Sequence, residues 1–256
     1  MLVTSKELLI HAKKNKYAVG AFNVENLEMV LAVLQAAQEL NSPVIMQTTP
    51  GTLKFAGVNF YFAMIKAASE NSKIPVVCHL DHGNSYELAS LAFRTGYTSI
   101  MIDGSKLSFN ENISLTSSVV KMCHSANIPV EAELGRVGGK EDEVLSSENI
   151  YTDPDEAKEF VLKTECDSLA VGIGTSHGIY KGIPKLNFEV LEKINNIIDL
   201  PLVLHGTSGV PDEQVIKSIQ LGICKVNYAT DLRIAYTEGV KKFLSENPKA
   251  FDPKKY

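Results

Sequence analysis

The chain has 256 residues, of which 45% are hydrophobic and 21% charged, and its formal net charge is −5. That balance supplies a large core and excludes a disordered chain. With no basic block, nucleic acid is a poor candidate partner, although phosphate ligands stay open because glycine loops and helix N-termini bind them without bulk positive charge.

In chain order, the N-terminal stretch 1–22 interrupts its apolar residues with Lys and Glu, so it does not read as a signal peptide. No later apolar run is long enough to span a membrane, and no membrane partner is expected. Apolar runs then recur at 17–22, 43–47, 75–80, 98–102, 128–134, 167–173, 201–205 and 223–227. Between them lie stretches of helical spacing at 25–40, 58–71, 85–95, 109–126, 154–164, 186–197, 212–220 and 231–246. In the first of these, Leu27, Val30, Leu31, Leu34 and Ala37 share one face. Asp153-Pro154 reads as a helix start with proline in the first helical position, and Pro211-Asp212-Glu213 reads similarly. Four cysteines at 78, 123, 166 and 224 form no CxxC pair and read as reduced thiols of a cytoplasmic protein.

Continuous apolar strands separated by helices predict a parallel α/β sheet. Eight repeats in one unbroken series predict a single-domain (β/α)8 barrel over 1–256, with an open doubly wound sheet as the alternative. The longest irregular stretch, 135–152, has the glycines and charges of a mobile active-site loop.

Barrel chemistry sits at the C-terminal ends of the strands. Those ends carry Asn23, then Thr48 and Thr49, then Asp81 and His82, then Asp103, then Glu131 and Glu133, then His177, His205 and Asn227. Three of the six histidines lie just past strands, and each is followed by glycine: His82-Gly83, His177-Gly178 and His205-Gly206. Taken singly, each reads more readily as a hydrogen-bonded structural histidine. Converging, they can hold a zinc ion and leave one position open. His79 lies inside its apolar run and reads as core, and His11 and His124 read as surface. "GIGTSHG" at 172–178 and "HGTSG" at 205–209 offer backbone N–H groups for a phosphate, with hydroxyls from Thr207 and Ser208, or are simply tight turns. Asp81 reads as a partner of His82, as a proton carrier, or as a cap of the next helix. Residues 81 and 82 face opposite sides of an extended chain, so both reach one site only if the strand ends there.

"HLDHG", "MIDGS", "VEAELGRVGGKED", "LAVGIGTSHGIY", "LPLVLHGTSG" and "GICKVNYATDL" occur in this order. With them the whole chain resembles the class II, zinc-dependent ketose-bisphosphate aldolases. The loop Thr49-Pro50-Gly51-Thr52 is similar to the tagatose-bisphosphate branch, and fructose-bisphosphate aldolases are near relatives.

The resemblance implies that His82, His177 and His205 ligate zinc and that Asp81 carries a catalytic proton. It implies a dihydroxyacetone phosphate site at Gly178, Gly206, Thr207, Ser208, Asn227, Tyr228, Ala229 and Thr230, with Asn23 and Thr49 as further substrate contacts. Glu141 matches a loop glutamate serving the triose carbon. Asp103 and Glu133 match residues near alternative metal positions. A monovalent cation, Na+ or K+, is expected near the phosphate. Ala229 stands where fructose enzymes carry aspartate, which points to the tagatose branch. A homodimer or homotetramer is expected; family members continue into a further C-terminal helix, which a chain ending in "ENPKAFDPKKY" is expected to lack. The competing readings are a Schiff-base aldolase using Lys225, a zinc hydrolase, and a non-catalytic barrel subunit of an aldolase complex.

Overall fold

The computed structural model describes residues 1–70, 72–141, 144–146 and 150–256, with the side chains of 140–149 outside that description. The first half runs α1 (Ser5–Asn15), β1 (Val19–Asn23), α2 (Leu27–Glu39), β2 (Val44–Thr48), α3 (Pro50–Ala56), α4 (Val58–Glu70), β3 (Val76–Gly83), α5 (Tyr86–Thr95), β4 (Ser99–Ile102) and α6 (Phe109–His124). The second half runs β5 (Val130–Leu134), β6 (Gly138–Glu141), β7 (Val144–Ser146), α7 (Pro154–Thr164), β8 (Ser168–Val171), β9 (Ser176–His177), α8 (Phe188–Ile197), β10 (Leu202–Leu204), α9 (Asp212–Gln220), β11 (Ile223–Tyr228) and α10 (Thr230–Glu246). A 3-10 turn at Pro253–Lys255 follows.

Eight parallel strands close into a barrel in the order β1-β11-β10-β8-β5-β4-β3-β2. β1 pairs with β2 on one side and β11 on the other, which excludes the open sheet. The helices start where the sequence offers caps. Asn26 accepts from the Met29 amide, Ser85 from Leu88, and Asp153 from Asp155 and Glu156.

Strand alternation sorts the side chains into two populations. Val44, Met46, Val76, Cys78, Leu80, Ile100, Ile102, Val130, Ala132, Leu169, Val171, Leu202 and Leu204 join the helices in one large buried cluster. The other residues of each strand fill the barrel. At the strands' N-terminal ends that filling is apolar, with Leu9 and Ala12 of α1 packed on Val19, Ala21, Ile45 and Val77. Further along the axis it turns polar: His79, Glu131, Ser99 and Lys225 are all buried, and Lys225 is fully so. Branched apolar residues usually dominate such interiors, so this ionisable layer needs a reason.

Three elements depart from the sequence expectation. α1 plugs the barrel floor, and α3 forms inside the Thr49-Pro50-Gly51-Thr52 loop, with Pro50 at its first turn and Thr49 capping the Thr52 amide. The described residues of the 135–152 stretch, expected as an irregular loop, include two strands: β6 pairs antiparallel with β7 and parallel with β9. An Arg136–Ile150 bridge closes its base, with N–O distances of 2.8 and 3.0 Å. All four cysteines are buried free thiols. Among the described residues, no helix is long and apolar enough to cross a membrane.

Candidate active site

β3 solves the problem of two adjacent side chains sharing one site. Leu80 pairs with Ile100 and Gly83 with Ile102, so β3 carries one extra residue over that interval. His82 takes up the bulge with a left-handed φ of 48°. The strand therefore turns over at its end and delivers Asp81 and His82 to the same side.

The rings of His82, His177 and His205 converge. Their centroids lie 5.1 Å (His82–His177), 4.5 Å (His82–His205) and 6.1 Å (His177–His205) apart, with the planes steeply inclined to one another. One ligand nitrogen from each falls within 4.8 Å of the other two. Asp103 and Glu133 form a second such group with His82.

The outer nitrogens are already engaged. His82 Nδ1 lies 2.9 Å from Asp103 Oδ2, and His205 Nε2 lies 2.9 Å from Glu131 Oε1. Both carboxylates accept, so both rings present lone pairs inward, with His82 Nε2 and His205 Nδ1 only 2.7 Å apart. Two facing lone pairs at that distance require a proton or a cation between them. A divalent ion fits this donor set, since neutral imidazoles backed by carboxylates are a common zinc arrangement. Burial holds the His177 and His205 rings well below the ordinary imidazole range, which keeps them in the neutral, ligating form.

Asp81 is buried, and three side-chain amides donate to it: Asn23 at 2.9 Å, Gln47 at 3.1 Å and Asn227 at 3.3 Å. Burial raises its carboxyl, but His82, His205 and Lys225 and the Asn23 hydrogen bond outweigh that, leaving it below the usual range and ionised. The helix-cap reading fails, because Ser85 caps α5.

Two cavities flank the histidines. The larger, about 900 Å³, is lined by Thr49, Thr52, His82, Asp103, Arg136 and Arg233 among others. The smaller cleft gathers Asn23, Asp81, His177, Gly178, Gly206, Ser208, Asn227, Ala229 and Thr230. The Asp231 amide donates to Ser208 Oγ, which leaves the Ser208 hydroxyl proton for the cleft. The N-terminus of α10 opens here; its N-cap residue, Ala229, has no side chain that can cap it, and Ser208 takes the Asp231 amide.

Not every expected contact faces these cavities. The Thr207 hydroxyl donates to the Leu204 carbonyl and its amide to Asn227 O, so Thr207 sits behind the cleft. Tyr228 stacks on Phe22, 5.8 Å between centroids, and lines neither cavity. The Glu141 side chain lies outside the described residues. Lys225, fully buried, donates to both Glu131 oxygens at 3.0 and 2.8 Å and lines neither cavity, which removes it as a Schiff-base candidate. His79 is core, bonded to Ser99 at 2.8 Å, whereas His11 and His124 make exposed contacts.

Sequence reasoning missed Arg233 and Tyr180. Arg233 lines both cavities and donates from Nε to Glu25 at 2.9 Å. Its signal was the i, i+3 spacing from Thr230. Tyr180 accepts from the Ser176 amide at 2.7 Å and donates to Gly206 O at 2.8 Å, tying the two glycine-rich loops together. No sequence pattern announces that pairing.

A family profile described as "Fructose-bisphosphate aldolase class-II" matches residues 3–256. The YdjI aldolase from Escherichia coli K12 is 40% identical, with a TM-score of 0.85 over 94% of this chain and 86% of that one. A putative fructose-1,6-bisphosphate aldolase from Coccidioides immitis is 32% identical, with a TM-score of 0.87 over 97% and 88%. The fructose-bisphosphate aldolase from Campylobacter jejuni, 24% identical with a TM-score of 0.78 over 96% and 82%, shares the fold.

Proposed function

The chain belongs to the class II fructose-bisphosphate aldolase family, and we propose that it reversibly cleaves the C3–C4 bond of a ketohexose 1,6-bisphosphate, tagatose 1,6-bisphosphate preferred. The products are dihydroxyacetone phosphate and glyceraldehyde 3-phosphate. The observation that carries this reading is the juxtaposition of three imidazoles sharing one point, an ionised buried carboxylate, and a glycine-lined cleft at a helix N-terminus.

His82, His177 and His205 would hold zinc, with Asp103 and Glu133 available to a second metal position. Bound there, zinc supplies a Lewis acid for the electron pair released by C–C cleavage. Asp81 takes the C4 hydroxyl proton. Its three amide donors hold the carboxylate in one orientation at the cleft. The C1 phosphate sits in the small cleft, against Gly178, Gly206, Ser208 and the open first turn of α10. Asn23 and Asn227 line the same cleft and donate to Asp81. Glu141 is assigned the proton of the triose carbon on the family resemblance. The aldehyde portion occupies the larger cavity, toward Thr49, Thr52 and Arg233.

Ala229 lines the phosphate cleft beside Asp81. An aspartate there would add a second carboxylate near the reacting carbons, where the tagatose and fructose isomers differ. Assays on both bisphosphates test the preference. The native chain is expected to favour tagatose 1,6-bisphosphate, and Ala229→Asp to move the ratio of kcat/KM values toward fructose by about tenfold or more. Equal rates on both isomers, unmoved by the substitution, would remove this assignment. The second reading is a different ketose phosphate with a longer aldehyde portion. It is favoured by the size of the larger cavity, which is at the upper end of those that enclose drug-sized ligands.

A further inference from the structure

The polar filling of the barrel is a connected chain of hydrogen bonds. Ser5 Oγ lies 2.8 Å from Ser99 Oγ, and Ser99 Oγ lies 2.8 Å from His79 Nδ1. His79 Nε2 lies 3.3 Å from Lys225 Nζ, which also reaches Glu131 at 2.8 and 3.0 Å. Glu131 then meets His205 at 2.9 Å, and His205 meets His82 at 2.7 Å. Every member from Ser5 to His82 is buried.

The donors and acceptors along this chain have one consistent assignment. An ammonium only donates. His79 must therefore accept at Nε2, which places its proton on Nδ1, toward Ser99. On the other side, Lys225 donates to both Glu131 oxygens, so Glu131 faces His205 purely as an acceptor. His205 must then carry its proton on Nε2 and present the Nδ1 lone pair toward His82. The barrel interior thus dictates which nitrogen of His205 is free.

We propose that Glu131, held by Lys225, is a positioning residue that fixes His205 in the Nε2-protonated tautomer and so creates the metal-binding Nδ1 donor. This rests on the reading of His82, His177 and His205 as metal ligands. It accounts for a fully buried lysine in a barrel where an apolar side chain would pack at lower desolvation cost. Glu131 and Lys225 line neither cavity, so neither reaches substrate.

Two measurements test it. The first is the dissociation constant for Zn2+, by competition with a chromophoric chelator, in the native chain, Glu131→Gln and Glu131→Gln/Lys225→Met. Glu131→Gln is expected to weaken Zn2+ about ten- to a hundredfold. The double variant, which also removes the unpaired ammonium, should recover the thermal stability of the metal-free chain yet keep the weakened affinity. Recovery of native Zn2+ affinity in the double variant, or native affinity in Glu131→Gln, would overturn the proposal. The second needs no variant: 15N NMR of the metal-free native chain should find His205 protonated at Nε2, and a His205 ring with Nε2 bare and its proton on Nδ1 alone would overturn it. Failure of the native chain to bind Zn2+ at all would instead strike the proposed function, and the tautomer measurement would still decide whether the His205 nitrogen facing Glu131 carries the proton.

Discussion

In the proposed mechanism Asp81 and the three histidines have different tasks, and their substitutions should separate. Asp81→Asn keeps a similar shape but cannot take a proton, so kcat should fall about 10²–10⁴-fold while Zn2+ stays bound. His205→Ala removes a ligand and should lose Zn2+ and activity together. Metal analysis beside steady-state kinetics checks both; a zinc-free Asp81→Asn protein would contradict the division. The histidine trio was legible in the sequence because each histidine is followed by glycine near a strand end, and Asp81 because it immediately precedes the first of them. Thr207 was not legible as a buried residue, because a hydroxyl in a glycine turn looks the same whether it faces ligand or carbonyl. His79 offers a test of the buried layer. Burial first, and then the Lys225 charge, hold its ring well below the ordinary imidazole value. An unfolded histidine takes up a proton below about pH 6.5, whereas the folded chain withholds it, so acid favours unfolding. Stability should be level above that pH and fall below it. His79→Gln should lessen the fall between pH 6.5 and 5.5 by about 1 kcal/mol. Urea denaturation at pH 6.5 and 5.5 measures this, and equal slopes in the two proteins would contradict it.

Elements position these residues through backbone features that periodicity does not reveal. The eight barrel strands and their following helices were legible because apolar runs and caps repeat with clear punctuation. The β3 bulge was not, since one extra residue changes register without changing composition. The β6–β7 hairpin was hidden by its glycines and charges, which read as loop. Its role is visible in β6–β9 pairing, where Gly139 lies opposite His177. Gly139 has a φ of +92°, and a Cβ there would collide with the His177 backbone. Gly206, at φ +63°, likewise has no room, since a Cβ would stand 2.7 Å from Ser176 O. Gly139→Ala should therefore break the β6–β9 seam, displace His177 and weaken Zn2+ binding, while the barrel keeps its far-ultraviolet circular dichroism. A variant with native Zn2+ affinity would show that the hairpin does not support the ligand.

At the scale of the whole molecule, the barrel is graded along its axis. An apolar floor sealed by α1 lies below the Ser99–His79–Lys225–Glu131 layer, and the histidines and cavities lie above. Apolar burial at the floor and between strands and helices supplies the stabilisation. That leaves the upper interior free to carry charge for chemistry. Closure was predictable from eight repeats at this length, whereas the connected polar layer was not, because cross-barrel neighbours such as Lys225 and Glu131 lie 94 positions apart. In the proposed function, cleavage depends on a divalent ion held by His82, His177 and His205. The most direct test is the rate of triose phosphate release from tagatose and fructose 1,6-bisphosphates before chelation, after exhaustive chelation, and after Zn2+ is restored. Activity is predicted to vanish with the metal and return with Zn2+; undiminished cleavage by the chelated, metal-free chain would contradict the account.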